Sequence, residues 1–222
     1  MTAENKLIIF VKAPLPGKVK TRLVPPLTFQ QAAELYKSWA RGIYKMTTQL
    51  MPNVHLSVAY ESDPKIPSIA WLSADGDNIP YFPQINGDLG ERLIHAFSRA
   101  FGRFSKRVVI IGTDSPGLPS SYLMQAFERL ESNDLVLGPT YDGGYYLVGL
   151  RDQVYEELFR GICWSTPKVF LETLLKAREL KLSLHLLPKY FDIDTEQDLR
   201  RFWNQYPVLK MDERYSKIAS LK

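Results

Sequence analysis

The sequence predicts one α/β domain, a Rossmann-like three-layer sandwich built on a mostly parallel, mixed sheet. Three observations predict it. Short apolar runs of strand length, such as LIIFV at 7–11 and VVII at 108–111, are unbroken, as in strands buried on both faces. They alternate with longer stretches whose apolar residues recur at helical spacing, the pattern of parallel strands joined by right-handed crossovers. A chain of 222 residues without a repeat, a low-complexity segment or a dividing linker fits one domain with a real core.

The elements follow in order. KLIIFVK (6–12) is the first, central strand. The loop APLPGKVKTRLVPP carries four prolines, one glycine and a basic cluster. Thr28 caps a helix to about Leu50, with Leu35, Trp39, Ile43, Met46 and Leu50 on its apolar face. VHLSVAY (54–60) and IPYFPQ (79–84) are strands separated by a loop. Asp88 opens a helix whose buried stripe is Leu89, Leu93, Phe97, Ala100 and Phe104. Val108 to Ile111 form the next strand, and Pro119 announces a helix from about Ser120 to Glu131. DLVLGPT and YYLVGL flank Asp142-Gly143-Gly144, a hairpin signal that adds a mixed or antiparallel element. Pro167 starts a helix to about Leu180, LSLHLLP is a further strand, and a last helix begins near Glu196. Residues 1–206 make the domain, and 207–222 a C-terminal tail.

Composition narrows the function classes. Hydrophobic residues are 45% and charged residues 23%, ordinary for a soluble globular chain, and no apolar run is long enough to cross a bilayer. MTAENK is no secretory signal, and the single cysteine allows no internal disulfide, so a cytoplasmic protein without a membrane partner is expected. The net charge of +4 comes from basic residues spread along the chain, which does not argue for nucleic acid. The three histidines and Cys163 form no zinc pattern.

Five places carry chemistry. In the loop after the first strand, Lys12, Lys18, Lys20 and Arg22, with backbone amides near Gly17, suit a small polyanion such as a phosphate chain. The alternative is a solvated loop stiffened by prolines; neither a G-x-x-x-x-G-K-[ST] nor a G-x-G-x-x-G pattern is present. Asp114 ends the strand of RVVIIGTDSPGLP, where ligands of open α/β sheets bind, and a carboxylate there suits a divalent metal facing a phosphate. The alternative is that Asp114 and Ser115 only build the turn and cap the helix that Pro119 announces. Asp192 and Asp194 in KYFDIDTEQDL read either as further metal-side acids or, with Thr195 and Asp198, as a helix cap. In GDLGER, Gly90 permits close approach and Arg92 reaches toward a base or phosphate. In the DGGYY turn, Gly143 and Gly144 either make a primed two-residue turn or admit a sugar ring against the backbone.

Read together, FVKAPLPGKVKTRL, GDLGERL, VVIIGTDSPGLP, GPTYDGGYYLVGL, CWST and DIDTEQDL resemble, in that order, the glycosyltransferase-like proteins labelled radical-SAM/selenodomain-associated transferases. Some of that group are linked to arsenosugar biosynthesis. They belong to the GT-A, nucleotide-diphospho-sugar transferase superfamily, and the chain is also similar to 2-phospholactate guanylyltransferases through its K-T-R-L element. The resemblance implies a GT-A fold, a Mg2+ or Mn2+ ion on Asp114 and Asp194, and Lys12, Lys20 and Arg22 facing the nucleotide's phosphates. The glycine-rich L-x-A-G-x-G-x-R loop of sugar nucleotidyltransferases is replaced here by a Pro/Lys loop, and Asp-x-Asp by Asp-Ser-Pro.

Two reactions follow from that resemblance. In glycosyl transfer from an NDP-sugar, the metal on Asp114 neutralises the leaving diphosphate, and Asp142 orients or deprotonates a small-molecule acceptor. In nucleotidyl transfer, an acceptor phosphate attacks an NTP, and Lys20 with the rest of the basic loop holds the departing pyrophosphate. Glycosyl transfer stands slightly ahead. A non-catalytic nucleotide-binding protein is the third reading, and the oligomeric state is open, a homodimer among the options.

Overall fold

In the computed structural model, which describes residues 4–51, 53–66, 68–73, 78–101 and 105–206, the central strand shows the two-residue period of a pleated strand directly. Along β1 (Asn5–Val11), Leu7, Ile9 and Val11 enter one hydrophobic cluster and Ile8 enters another. The same division runs along β4 (Arg107–Ile111), with Val109 and Ile111 on one face and Val108 and Ile110 on the other. Both faces are therefore covered, and the apolar runs are unbroken for that reason.

Helices α1 (Phe29–Thr48), α3 (Ser120–Arg129) and α5 (Glu196–Gln205) supply the first cover through Trp39, Leu123 and Phe202. Helices α2 (Leu89–Phe101) and α4 (Val169–Glu179) supply the second through Phe97 and Ala177, where Phe97 stacks on Phe159 with ring centroids 5.7 Å apart. The sheet is completed by β2 (His55–Tyr60), β3 (Tyr81–Pro83), β5 (Leu135–Pro139), β6 (Tyr145–Arg151) and β7 (Leu184–Leu186), in the order β3-β2-β1-β4-β6-β5-β7. All strand pairings are parallel except those of β6, which runs antiparallel to both β4 and β5. The expected three-layer sandwich on a mostly parallel, mixed sheet is the fold observed. None of the described helices is long and apolar enough to cross a membrane.

Local signals place the helices. Thr28 accepts from the Gln31 amide while the Gln31 side chain accepts from the Thr28 amide, a reciprocal cap. Asp88 and Glu91 do the same for α2, and Thr195 and Asp198 for α5. Some boundaries differ from expectation. Leu89, read as part of the buried stripe, is 39% exposed because it lies in the first turn, ahead of the face that meets the sheet. Phe104, the last member of that stripe, and the tail 207–222 lie outside the described residues. Strand β7 keeps only three residues of LSLHLLP, although the Leu187 amide still donates to the Leu137 carbonyl of β5 at 2.9 Å. The β5–β6 connection is a three-residue loop closed by the Thr140 amide donating to the Gly144 carbonyl, 3.0 Å. Gly143 takes φ +91°, and Gly144 has no positive φ, so the expected two-residue primed turn is replaced by this longer loop.

Candidate active site

β1 and β4 are neighbours, and the chain leaves them toward opposite halves of the sheet, which makes their C-terminal ends the topological switch point. Two adjoining cavities open there. One, about 210 Å³, lies over Gly112 to Ser115 and is walled by apolar side chains including Leu93, Ile110 and Tyr145, with Gln84 and Arg92 at its edge. The other, about 170 Å³, is lined by Lys12, Lys18, Lys20, Arg22, Asp114 and Asp194. Lys12, Tyr36 and Asp114 line both.

The centre of the basic cavity is an ion-pair cluster. Lys20 Nζ lies 2.7 Å from Asp114 Oδ1 and 2.9 Å from Asp194 Oδ1, and donates to the Ile193 carbonyl at 2.7 Å. The Asp114 contact is an ion pair whose angle falls short of a hydrogen bond. The Lys20 side chain is only 3% exposed, and its backbone takes a left-handed φ of 49°, which turns it inward from the loop. Arg22 reaches the other oxygen of Asp194 at 3.2 Å from the solvent side. The DIDT segment is held against the Asp114 turn by the Ile193 amide, which donates to the Asp114 carbonyl at 3.0 Å. Because residues two apart in an extended segment face the same way, Asp192 and Asp194 both turn to the cluster. Each of Asp114, Asp192 and Asp194 offers one oxygen within 4.8 Å of the others.

Charge and burial set the behaviour of these groups. Burial works against the Lys20 ammonium, but the carboxylates of Asp114, Asp192 and Asp194 outweigh it and hold the lysine charged. Burial pushes Asp192 well above the ordinary carboxylate range; Lys20 opposes this, while Asp114, Asp194 and Asp142 reinforce it. Burial also acts on Asp194, yet Lys20 and Arg22 hold it below its ordinary value. The three acids crowd around a single buried ammonium, and one of their oxygens, Asp192 Oδ1, is buried without a hydrogen-bond partner. That donor set fits a hard divalent cation, which is held by a few carboxylates plus phosphate and water.

The remaining sequence candidates fall in three positions. Lys12 and Lys18 line the basic cavity, and Lys12 is fixed through its amide, which donates to the Tyr36 hydroxyl at 2.7 Å. Arg92 lines the apolar cavity, but its guanidinium donates to the Gly87 carbonyl at 3.0 Å and lies 3.8 Å from Glu61. Asp142 sits on the β5–β6 loop, close enough to act on Asp192; its Oδ1 accepts from Thr140 and from the Gly144 amide, so Oδ2 is free of both. Gly17, exposed at φ +76°, is not among the cavity-lining residues. Gly90 and Gly143 are packing positions instead. A Cβ on Gly90 would meet the Phe159 carbonyl at 2.4 Å, and one on Gly143 the Pro167 carbonyl at 2.2 Å. A Cβ on Gly144 would lie 3.2 Å from Thr140 Oγ1.

Sequence reasoning weighed Asp192 but settled on Asp194 as the second acid; the alternation D-I-D was the available signal for both. It missed Tyr36, whose buried hydroxyl also accepts from Thr113 Oγ1 at 3.0 Å and so ties the end of β1 to the end of β4. Nothing separates Tyr36 from an ordinary core position in the periodicity of α1.

This is the open α/β architecture of nucleotide-diphospho-sugar transferases, as the resemblance implied. The chain belongs to the family described as "Uncharacterized protein conserved in bacteria (DUF2064)", whose model matches residues 45–166. No curated protein matches it. It is similar to the crystal structure of a candidate nucleotide-diphospho-sugar transferase from Desulfovibrio desulfuricans G20, with 33% identity, a TM-score of 0.87, and coverage of 97% of this chain and 94% of that one. Two more distant structures share the fold. Rv0371C of Mycobacterium tuberculosis H37Rv in complex with manganese has 16% identity and a TM-score of 0.53, over 90% of this chain and 98% of that one. A cytidylyltransferase from Leptospira borgpetersenii serovar Hardjo-bovis (strain JB197) has 14% identity and a TM-score of 0.54, over 95% and 98%.

Two outcomes are expected. Gly90→Ala should destabilise the protein by about 1–3 kcal/mol, the usual cost of overpacking against backbone, read as a fall in melting temperature. Asp192→Asn should raise the melting temperature of the metal-free protein, because burial and the neighbouring acids disfavour the Asp192 carboxylate. A lower melting temperature for Asp192→Asn would contradict the electrostatic account of the cluster.

Proposed function

We propose that the protein is a divalent-metal-dependent transferase that uses a nucleotide substrate, and that its reaction is glycosyl transfer from an NDP-sugar to a small acceptor. One observation carries the reading: of three acids clustered beside the C-terminal end of β4, Asp114 and Asp194 line the same cavity as Lys12, Lys18 and Arg22. The 33% identical relative, described as a candidate nucleotide-diphospho-sugar transferase, supports the sugar-nucleotide donor. The manganese complex of Rv0371C supports the choice of cation class.

Asp114, Asp192 and Asp194 would hold Mg2+ or Mn2+, which supplies positive charge against a leaving diphosphate. Lys12, Lys18 and Arg22 bind the phosphates as preorganised cations, which need not reorient as charge develops on the departing group. The apolar walls of the neighbouring cavity exclude water from the transferring group. Asp142 would accept the proton of an acceptor hydroxyl through Oδ2, its Oδ1 being held by Thr140 and Gly144. Nucleotidyl transfer is the second reading, favoured by the number of cations in the basic cavity, which suits a triphosphate.

Thermal shift with a panel of NTPs and NDP-sugars, with and without Mg2+ or Mn2+, tests the nucleotide directly. A ligand at one hundred times its Kd stabilises by about 2.7 kcal/mol. No shift with any of them would sink both transfer reactions. Release of NDP on adding an acceptor marks glycosyl transfer, and release of pyrophosphate from an NTP marks nucleotidyl transfer. Asp114→Ala should lower the rate by roughly 10²-fold or more, the scale of losing one transition-state electrostatic group. Full activity in that variant removes the metal assignment.

A further inference from the structure

Lys20 was expected to face the nucleotide's phosphates; it lines the basic cavity, and its ammonium is engaged by the protein's own oxygens. A lysine has three protons to donate. The three nearest oxygens to Nζ are Asp114 Oδ1 at 2.7 Å, the Ile193 carbonyl at 2.7 Å and Asp194 Oδ1 at 2.9 Å, all of them protein atoms. The back of the ammonium lies 5.6 Å from the centre of the buried Trp39 ring, which closes the remaining side. With 3% of its side chain exposed, the Lys20 ammonium is held by two hydrogen bonds, to Asp194 and the Ile193 carbonyl, and by the ion pair with Asp114. Lys12, Lys18 and Arg22 contrast with it: all three are exposed on the rim of the same cavity.

The oxygens that Lys20 engages belong to two of the three acids of the candidate metal cluster. A fixed unit charge beside them does two opposed things. It holds the acids together when no other cation is near, and it repels a second cation through a poorly screened medium. We propose that Lys20 is a positioning residue, the built-in counter-ion of the Asp114–Asp192–Asp194 cluster, which lowers the cluster's affinity for a free divalent ion. The ion then binds well only with the nucleotide's phosphates, whose negative charge offsets the lysine. This inference rests on the metal-dependent reading above.

The test is Mn2+ binding without nucleotide, followed by electron paramagnetic resonance of the free ion, for the wild-type chain and Lys20→Met. Removing the counter-ion should lower the metal-free melting temperature and tighten Mn2+ binding by about tenfold or more, the scale of removing a unit charge at contact distance. Mere structural damage would weaken binding, so the gain separates the two. Unchanged or weaker binding in Lys20→Met, with measurable binding in the wild type, overturns this inference and leaves the metal-dependent reading standing. Absence of binding in both chains overturns the inference, and the metal reading falls with it if Mn2+ also fails to bind the wild-type chain when a nucleoside diphosphate is present. Should Lys20→Met fail to fold, the 15Nζ resonance of Lys20 in the wild-type chain is followed as Mg2+ and a nucleoside diphosphate are added. A shift on Mg2+ addition supports shared oxygens, and an unmoved resonance overturns the inference.

Discussion

A buried ammonium must be paired, because the cost of taking a bare charge out of water exceeds the stability of a whole domain. In this protein that requirement falls on Lys20, and its partners lie 94 and 174 positions away along the chain. Satisfying it brings the loop after β1, the turn after β4 and the segment before α5 to one point. The backbone of Lys20 adopts φ 49°, a conformation that costs a non-glycine residue on the order of 1–3 kcal/mol. Three oxygen contacts at Nζ offset that cost, and the inward turn also leaves Lys18 and Arg22 facing solvent on either side. One pairing therefore builds both the acid cluster and the basic rim of the cavity.

The fold was legible because its signals are local and redundant. Unbroken apolar runs meant strands covered on both faces, and the alternation of Leu7, Ile8 and Ile9 between two clusters is the physical content of that reading. The cap at Thr28 was readable because the residues that satisfy the first amides of a helix lie three positions apart. The site was legible in its parts but not in its pairings. Asp114 stood out as an acid at a strand end, but its distance to Asp192 depends on which way a loop returns across the sheet. Gly90 and Gly143 had the look of ligand-contacting glycines, yet their missing Cβ atoms make room for the Phe159 and Pro167 carbonyls. A glycine announces close approach and does not say what approaches. Tyr36 was hidden for the opposite reason, since a buried tyrosine on an apolar stripe reads as core until its hydroxyl is seen bridging two strand ends.

The direction of the strands explains why the functional groups meet on one edge. In a fully parallel sheet, the loop entering a strand lies at the edge opposite to the loop leaving its neighbour. Strand β6 is reversed, so its first residues lie beside the last residues of β4, with Leu147 opposite Ile111. The loop before β6, carrying Asp142, is thereby delivered to the same edge as Asp114. Strand β7 is parallel to β5, so the chain leaving it also exits there, and Tyr190 pairs beside Thr140 on the way to Asp192. The connections after β1, after β4 and after β7 share that edge because their strands are parallel, and the connection before β6 joins them because β6 alone runs the other way. Had β6 been parallel, Asp142 would sit a strand's length away, and its charge would not act on Asp192. The mixed sheet is thus the arrangement that brings Asp142 to the same edge as the Asp114–Asp192–Asp194 cluster, and Lys20 is the charge that lets the clustered acids stay together.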